Sequence, residues 1–427
     1  MSALAPADLD ALRRAAGEAA VDASAAREID GAKLHATVTP GDADALARTV
    51  AALAERSIGC VIAGGGTRLA LGNPPRDARI LLSTRGLSGV LELDAEEGVA
   101  RIQAGTPLAT ARTAVEEAGW ELPFDPPGAR TTLGGVLASG AVGPRHLGYG
   151  RPRDLVLGLD VVLGDGVATR CGGRVVKNVT GYDLMKLHVG ACGAFGVISA
   201  AWLRLRPRPE SERLFAATLP DTPDAIPRAI AAARVPTVRA CVLIDARIAP
   251  AVEPRRAPAL GWLLLVECAG DEAAVARDAL RFASELGAEE TAGGALARAR
   301  ALQGETFGSV GLRFRLAVLP SRLREVAREL HGAGAALLVH PGSGLVHARI
   351  ALDAETDGAG LDRAWLAART AAHGGAGHVV LESAPGWAKA VRDVYGDPSD
   401  EWRLARALKS RFDPASVLNA GRFVGGI

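Results

Sequence analysis

The sequence predicts an α+β protein in two units, and three observations carry that expectation. Helical and strand-like patterns mix without a strict βαβ repeat, which argues against a doubly wound parallel sheet. The 427 residues exceed what a single hydrophobic core organises, at roughly 150 residues per domain. At "LRLRPRPESE", Pro207 and Pro209 interrupt a strand pattern and charge rises, which places a junction near residue 210.

The elements follow in order. Residues 1–30 read as an Ala-rich amphipathic helical arm. In "ATVTPGDADALARTVAALAE" a strand, a Pro-Gly turn and a helix capped near Asp42 lead into the apolar run before Gly64. Short alternating strands are expected at "ILLST", "GVLELD" and "VARIQAG". A helix then runs from Thr106 to Ala118, with Thr106 as N-cap and Pro107 in the first helical position. The first unit spans 31–209 and the second 210–427. In the second, apolar strands ("LFAATL", "ACVLID", "GWLLLVEC", "LRFRLAVLP") alternate with helices ("DEAAVARDALRFASELG", "SRLREVARELHGAG"), the pattern of an antiparallel sheet with helices on one face.

Composition removes several classes. With 48% apolar and 23% charged residues the chain is globular, and 4% aromatics make its cores aliphatic. Forty-nine basic against 48 acidic residues leave a formal +1 with no basic run, so nucleic acid is discounted as a partner. Cys60, Cys171, Cys192, Cys241 and Cys268 lie far apart, without the close pairs of zinc or iron–sulfur sites. They read as core residues of a protein in a reducing cytoplasm. The N-terminus has no apolar signal region, and no apolar run is long enough to span a membrane.

Three side-chain-poor stretches carry the functional signal. "CVIAGGGTRLALGNPP" from Cys60 to Pro75 lacks the lysine of a Walker loop, and Gly72 to Pro75 stop the helix that a Rossmann turn needs. What remains is either a structural turn or a nest of amides for phosphate, with the Thr67 hydroxyl as an added donor. "PPGARTTLGGVLASGAVGPRHLGYG" at 126–150 and "GACGAFG" at 190–196 again remove bulk. Together they suggest one long ligand, approached by backbone in three places.

The ordered set "GGGT", "AGTPL", "TTLGGVLASG", "RDLVLGLDVVLGDG", "KNVTGYDLMKLHVGACGAFGVI" and "FDPASVLNAGR" resembles the FAD-binding domain of the vanillyl-alcohol oxidase superfamily, the p-cresol methylhydroxylase (PCMH) type. Within it, "GGRVVKNVTGYDLMKL" and "GPRHLGYGRPRDLVLG" look most like the FAD-binding subunits of bacterial glycolate oxidases. The resemblance is dense over 36–208 and returns at 411–422. It implies a two-subdomain α+β flavin domain, a C-terminal cap, and FAD held non-covalently. The residues that match the family's FAD contacts are Gly64, Gly65, Gly66, Thr67 and Arg68, then Thr132, Gly134, Gly135, Ser139 and Gly140, and finally Val197, Ile198 and Asn419. It also implies oxidation of glycolate or a similar 2-hydroxy acid beside a homologous flavin subunit and an iron–sulfur subunit. The location implied is cytoplasmic, possible contact with the inner membrane face coming through those partners. A self-sufficient oxidase of another hydroxy acid or alcohol and a flavin-free scaffold are the alternatives.

The catalytic base is unknown from sequence. Hydroxy-acid-oxidising relatives carry His-x-Gly-Asp-Gly-Asn-x-His and a later Glu-His-Gly; here "HPGSGLVH" keeps His340 and His347 but has Ser343 and Leu345, and "LESAP" stands where the second signature is expected. Two imidazoles without a carboxylate make a poor metal site, so none is expected. A four-residue loop would place the two histidines diagonally on one face of a hairpin. Arg145 and His146 could face the flavin, a substrate carboxylate or solvent. Lys177, Asn178, Tyr182, Asp183 and His188 form a polar cluster that reads as a buried strut, with Tyr182 and His188 as possible acid or base.

Overall fold

The computed structural model describes residues 4–24, 26–174, 182–304, 311–353, 357–397 and 399–427. Lys177 and Asn178 lie outside the described residues. The fold is α+β and is organised around three sheets, each with its own core.

The first sheet has the strand order Val21–Asp22, Ala36–Val38, Ala78–Ser83, Gly59–Ala63; the last three are parallel. Helix Ala43–Glu55 covers it, and Asp42 accepts the Ala45 amide at 2.7 Å as the N-cap. Leu46, Val50 and Leu53 recur at helical spacing and are fully buried, contributing roughly 1.5–3 kcal/mol each. The N-terminal arm is less helical than its composition suggests. Its helix covers only Pro6–Ala16, because Gly17 turns the chain at φ 104°, and Val21–Asp22 and the hairpin Arg27–Ile29/Ala32–Leu34 follow.

The second sheet, in the order Ala168–Gly172, Val156–Val162, Val197–Arg204, Val99–Gln103, Val90–Asp94, is antiparallel throughout. Helices Leu108–Glu117 and Leu133–Ser139 pack on it. The first starts at Pro107 as N-cap, one residue later than expected, because the Thr106 hydroxyl is bonded to the Gly89 backbone.

The third sheet has eight antiparallel strands in the order Glu289–Thr291, Ser211–Leu219, Trp262–Gly270, Val238–Asp245, Ala336–His340, Leu345–Ala351, Gly311–Ala317, His378–Ser383. Helices Ala225–Ala233, Glu272–Leu286, Leu323–Gly332 and Gly358–Gly374 share the core on one face. Contrary to the one-face expectation, Gly294–Leu302 and the Ala249–Ala251 turn cover part of the other. The reason is that Leu214, Val242, Ile244, Leu263 and Leu265 make that end of the second face apolar too, so it also needs cover. The remaining end is polar: alternate residues Leu312, Phe314 and Leu316 enter the helix-covered core, so Arg313 and Arg315 point the opposite way. The same alternation puts His347, between the core residues Val346 and Ala348, and Glu382, next to core Leu381, on that polar face.

Finally the chain returns. Helix Glu401–Phe412 leads to Asp413, and residues 417–419 run alongside Cys60, with Cys60 N–H donating to Val417 O at 2.7 Å and Asn419 N–H to Cys60 O at 2.9 Å.

Candidate flavin groove and adjoining chamber

An open groove of about 790 Å³ lies between the first two sheets. Its walls include Gly64, Gly65, Gly66, Thr67 and Arg68, then Thr132, Gly134, Gly135 and Ser139, and then Val197, Ile198 and Asn419. The structure therefore brings together twelve of the thirteen residues singled out for FAD. Gly140 lines the smaller neighbouring chamber and ends helix Leu133–Ser139 in a left-handed turn at φ 61°.

The glycines are required by the approach of one loop to the other. A Cβ on Gly64 would stand 2.0 Å from Thr132 Oγ1, and one on Gly65 would stand 1.7 Å from the Arg130 carbonyl oxygen. Any side chain would drive "GGGT" and "TTLGG" apart. Thr67 and Thr131 join the same seam, Oγ1 to Oγ1 at 3.0 Å, while the Thr131 hydroxyl donates to the Gly128 carbonyl at 2.7 Å. The Thr67 proton is thus spent on Thr131, leaving backbone amides as the donors that a diphosphate would meet. Thr132 Oγ1 caps helix Leu133–Ser139 by accepting the Gly135 amide at 3.3 Å.

Asn419 ties the groove from its far side. Its Oδ1 accepts the Ile62 amide at 2.9 Å and its Nδ2 donates to the Cys192 carbonyl. It adopts φ 48°, a left-handed conformation asparagine tolerates better than most residues. The turn that presents it is held by Lys409, whose Nζ donates to Asp413 Oδ2 at 2.7 Å, Ala194 O at 2.9 Å and Leu418 O at 2.6 Å. Arg422 spans back to the carbonyls of Leu69 and Leu71 at 2.6 and 2.5 Å and so fixes the end of the glycine loop. Cys192 also lines the groove, a placement that reading it as core had missed. Burial raises its thiol pKa, and Sγ lies 3.6 Å from the Tyr395 hydroxyl.

The groove shares Arg68, Leu71 and Ser139 with a chamber of about 380 Å³ that is closed by Arg315, His347 and Glu382. Glu382 Oε1 accepts from Arg315 Nε at 2.8 Å and lies 3.9 Å from Arg68 Nη1; its Oε2 is 3.5 Å from Arg313 Nε. Burial pushes the Glu382 carboxyl up, but His347, Arg315 and Arg68 outweigh it and hold the group well below the usual carboxylate range. His347 Nδ1 stands 3.7 Å from Glu382 Oε2, beyond hydrogen-bond length. Burial lowers the His347 pKa, so its ring is neutral at pH 7.

The hairpin has the expected register: His340 pairs with Leu345 across residues 341–344, and the two imidazole centroids are 5.7 Å apart. The absence of a carboxylate was a misreading, because Glu382 stands beside His347. Its arrival does not make a metal site. His340 Nε2 is taken by Gln303 Nε2 at 2.6 Å, and three guanidinium groups lie within 3.9 Å of the carboxylate. A dication there would face three positive charges, each pair of unit charges costing ~4 kcal/mol at 4 Å and an effective dielectric of about 20. Among the described residues no group of three or more His, Cys, Asp or Glu is placed to hold a metal.

The other polar candidates lie elsewhere. His146 is buried away from the groove, donating from Nδ1 to the Gly143 carbonyl at 2.6 Å and accepting from Ser343 Oγ at 2.8 Å; burial lowers its pKa to about 4. Arg145 lies outside the groove, part-buried, and joins Glu121, Glu212 and Glu267 at 3.2, 2.6 and 2.8 Å. The expected strut around Tyr182 does not form among the described residues. Tyr182 is 95% exposed, Asp183 pairs with Lys186 at 2.7 Å, and His188 alone is buried, edge-on to Phe412. Tyr182 does not line the groove.

Known proteins resemble the chain at both levels. A family model for the FAD binding domain matches residues 34–172. The glycolate oxidase subunit GlcE of Escherichia coli (strain K12) is 40% identical over 153 residues, covering 35% of this chain and 43% of that protein. The glycolate oxidase subunit GlcD of Bacillus subtilis (strain 168) is 35% identical over 179 residues, 42% of this chain and 38% of its own length. A D-lactate dehydrogenase of Archaeoglobus fulgidus is 36% identical over 197 residues, 46% of this chain and 44% of that protein. The matches span less than half the length of these curated relatives. Among solved structures, a p-cresol methylhydroxylase with substrate bound superposes with a TM-score of 0.73 at 17% identity, over 97% of this chain and 96% of that one. The 4-ethylphenol oxidase from Gulosibacter chungangensis gives 0.71 at 16%, over 97% and 96%. At these identities the two structures speak for the fold alone.

Proposed function

We propose that this chain, which carries an FAD-binding domain in a fold of the p-cresol methylhydroxylase type, is the flavin subunit of a complex oxidising glycolate or a similar 2-hydroxy acid. It would work beside a second, homologous flavin subunit and an iron–sulfur subunit. The observation that supports this reading most is the glycine-walled groove sharing Arg68, Leu71 and Ser139 with a second, charged chamber. The relatives named as glycolate oxidase subunits support the substrate class and the multi-subunit setting.

Gly64, Gly65 and Gly66, with Thr132, Gly134 and Gly135 opposite, would hold the diphosphate through backbone amides, while Val197 and Ile198 supply apolar wall. Bound FAD supplies a two-electron acceptor. The protein's share is position and proton handling. Asn419 and Arg422 hold the groove's two sides in register. His347 is the imidazole at the chamber wall; neutral by burial, and with neither ring nitrogen hydrogen-bonded among the described residues, it is able to accept the proton of a substrate hydroxyl.

The test is the visible spectrum of the purified full chain, before and after denaturation. Bound flavin absorption that passes into the soluble fraction on denaturation is expected, together with co-purification of an iron–sulfur partner from the source cells. A colourless protein that takes up no FAD on reconstitution would sink the reading.

A further inference from the structure

We infer that the chamber beside the flavin groove is an anion site that recognises a small carboxylate through guanidinium groups and uses no metal ion. The inference rests on the flavoprotein reading and deepens it. The chamber brings His347 and Glu382 together, as a cation site would, yet guanidinium groups surround the carboxylate. Arg68, Arg313 and Arg315 converge on one carboxylate, Glu382, within 3.9 Å. Of these, Arg68 and Arg315 line the chamber, and against the single Glu382 carboxylate they leave one positive charge in excess. Such an excess in a largely buried pocket needs an anion.

The polar atoms left over agree. Arg68 Nε, Glu382 Oε2 and both ring nitrogens of His347 are buried without a hydrogen-bond partner among the described residues, a set that asks for an acceptor at Arg68 and a donor at Glu382 or His347, as a hydroxy acid with its carboxylate and hydroxyl supplies. Buried groups of this kind in a native fold are ordinarily satisfied, so their clustering at one chamber marks a missing partner. The remaining wall, Ser139 to Val142, is small, and the volume of about 380 Å³ leaves room for an acid of a few carbons. A planar carboxylate suits the guanidinium fork better than a point-like cation site would. Arg315 reaches the chamber but not the flavin groove, whereas Arg68 lines both, so Arg315 separates the two functions.

The experiment titrates the FAD-loaded full chain with oxalate, a two-carbon acid with no hydrogen to give up, and reads the change in flavin absorbance. Saturable binding is expected, at least tenfold weaker in Arg315→Met, with unchanged flavin content. Pretreatment with a chelator, or added Mn²⁺ or Zn²⁺, is expected to leave it unaltered. Glu382→Gln decides between the chemistries: it frees the guanidinium groups and should tighten oxalate several-fold, whereas loss of a metal ligand would weaken it. Weaker binding in Glu382→Gln, metal-dependent binding, equal competition by inorganic phosphate, or indifference to Arg315→Met would each overturn the inference. A chain that takes up no FAD would instead overturn the functional reading beneath it.

Discussion

Gly65→Ala isolates the contact on which the groove depends. The backbone of Gly65 does not take a positive φ, so alanine introduces no backbone strain of its own. Its cost is steric: the new methyl would lie 1.7 Å from the Arg130 carbonyl oxygen and 2.7 Å from its carbonyl carbon, both backbone atoms that cannot swing aside. Overpacking of this kind costs roughly 1–3 kcal/mol. In the flavin-free protein the two loops relieve it by parting. Bound FAD requires both loops in place, so the cost reappears in the affinity. At about 1.4 kcal/mol per factor of ten, FAD binding should weaken about five- to 150-fold. Titration of flavin-free protein with FAD, followed by flavin fluorescence, measures it. Gly332→Ala, where an added Cβ meets nothing within 4 Å, is the control and should bind as the parent does. Gly65→Ala binding FAD within twofold of the parent would show that the two loops need not meet around the cofactor.

Asn419→Asp turns the donor facing the Cys192 carbonyl into an acceptor and buries a charge; FAD affinity should fall at least tenfold, and Asn419→Gly, which keeps the left-handed turn, should fall less, as read by the same titration. Burial pushes the Asp125 carboxyl up to about 7, against 3.8 unperturbed, so the unfolded chain releases this proton first and stability falls as pH rises from about 4 to 7. That span corresponds to about 4 kcal/mol. Asp125→Asn, which still accepts the Arg145 amide bonded at 3.0 Å, should therefore gain most over the parent at pH 8 and least at pH 4 in urea unfolding; an equal gain at both would refute the assignment. Comparing the two proteins at each pH cancels the opposite trend of the buried histidines, whose pKa values burial lowers.

The groove was legible because its cause is local. Glycine at 64–66, 134–135 and 193 is a statement about excluded side chains, and exclusion is written residue by residue. Its reason was less visible: Gly64 and Gly65 are bare first because Thr132 and Arg130 press on them, a contact between segments that no single stretch announces. The same distinction explains the polar cluster at Tyr182 to His188. Density of polar residues in sequence suggested a strut, but Tyr182 points into solvent while His188 is buried, since a few residues are enough to turn a chain from one environment to the other.

The chamber was hidden for a related reason, although half its signal was present. In "LRFRLAV" the alternation of Leu312, Phe314 and Leu316 with Arg313 and Arg315 declares one apolar and one charged face. Nothing in that segment says what the charged face meets. The answer depends on strand order: Gly311–Ala317 lies between Leu345–Ala351 and His378–Ser383, so Arg315 falls beside both His347 and Val380, next to Glu382. Sequence pattern thus specifies the chemistry each strand offers, and topology decides which offers coincide. Here it sets the guanidinium groups of Arg68, Arg313 and Arg315 around the Glu382 carboxylate, a coincidence that none of the three segments announces alone.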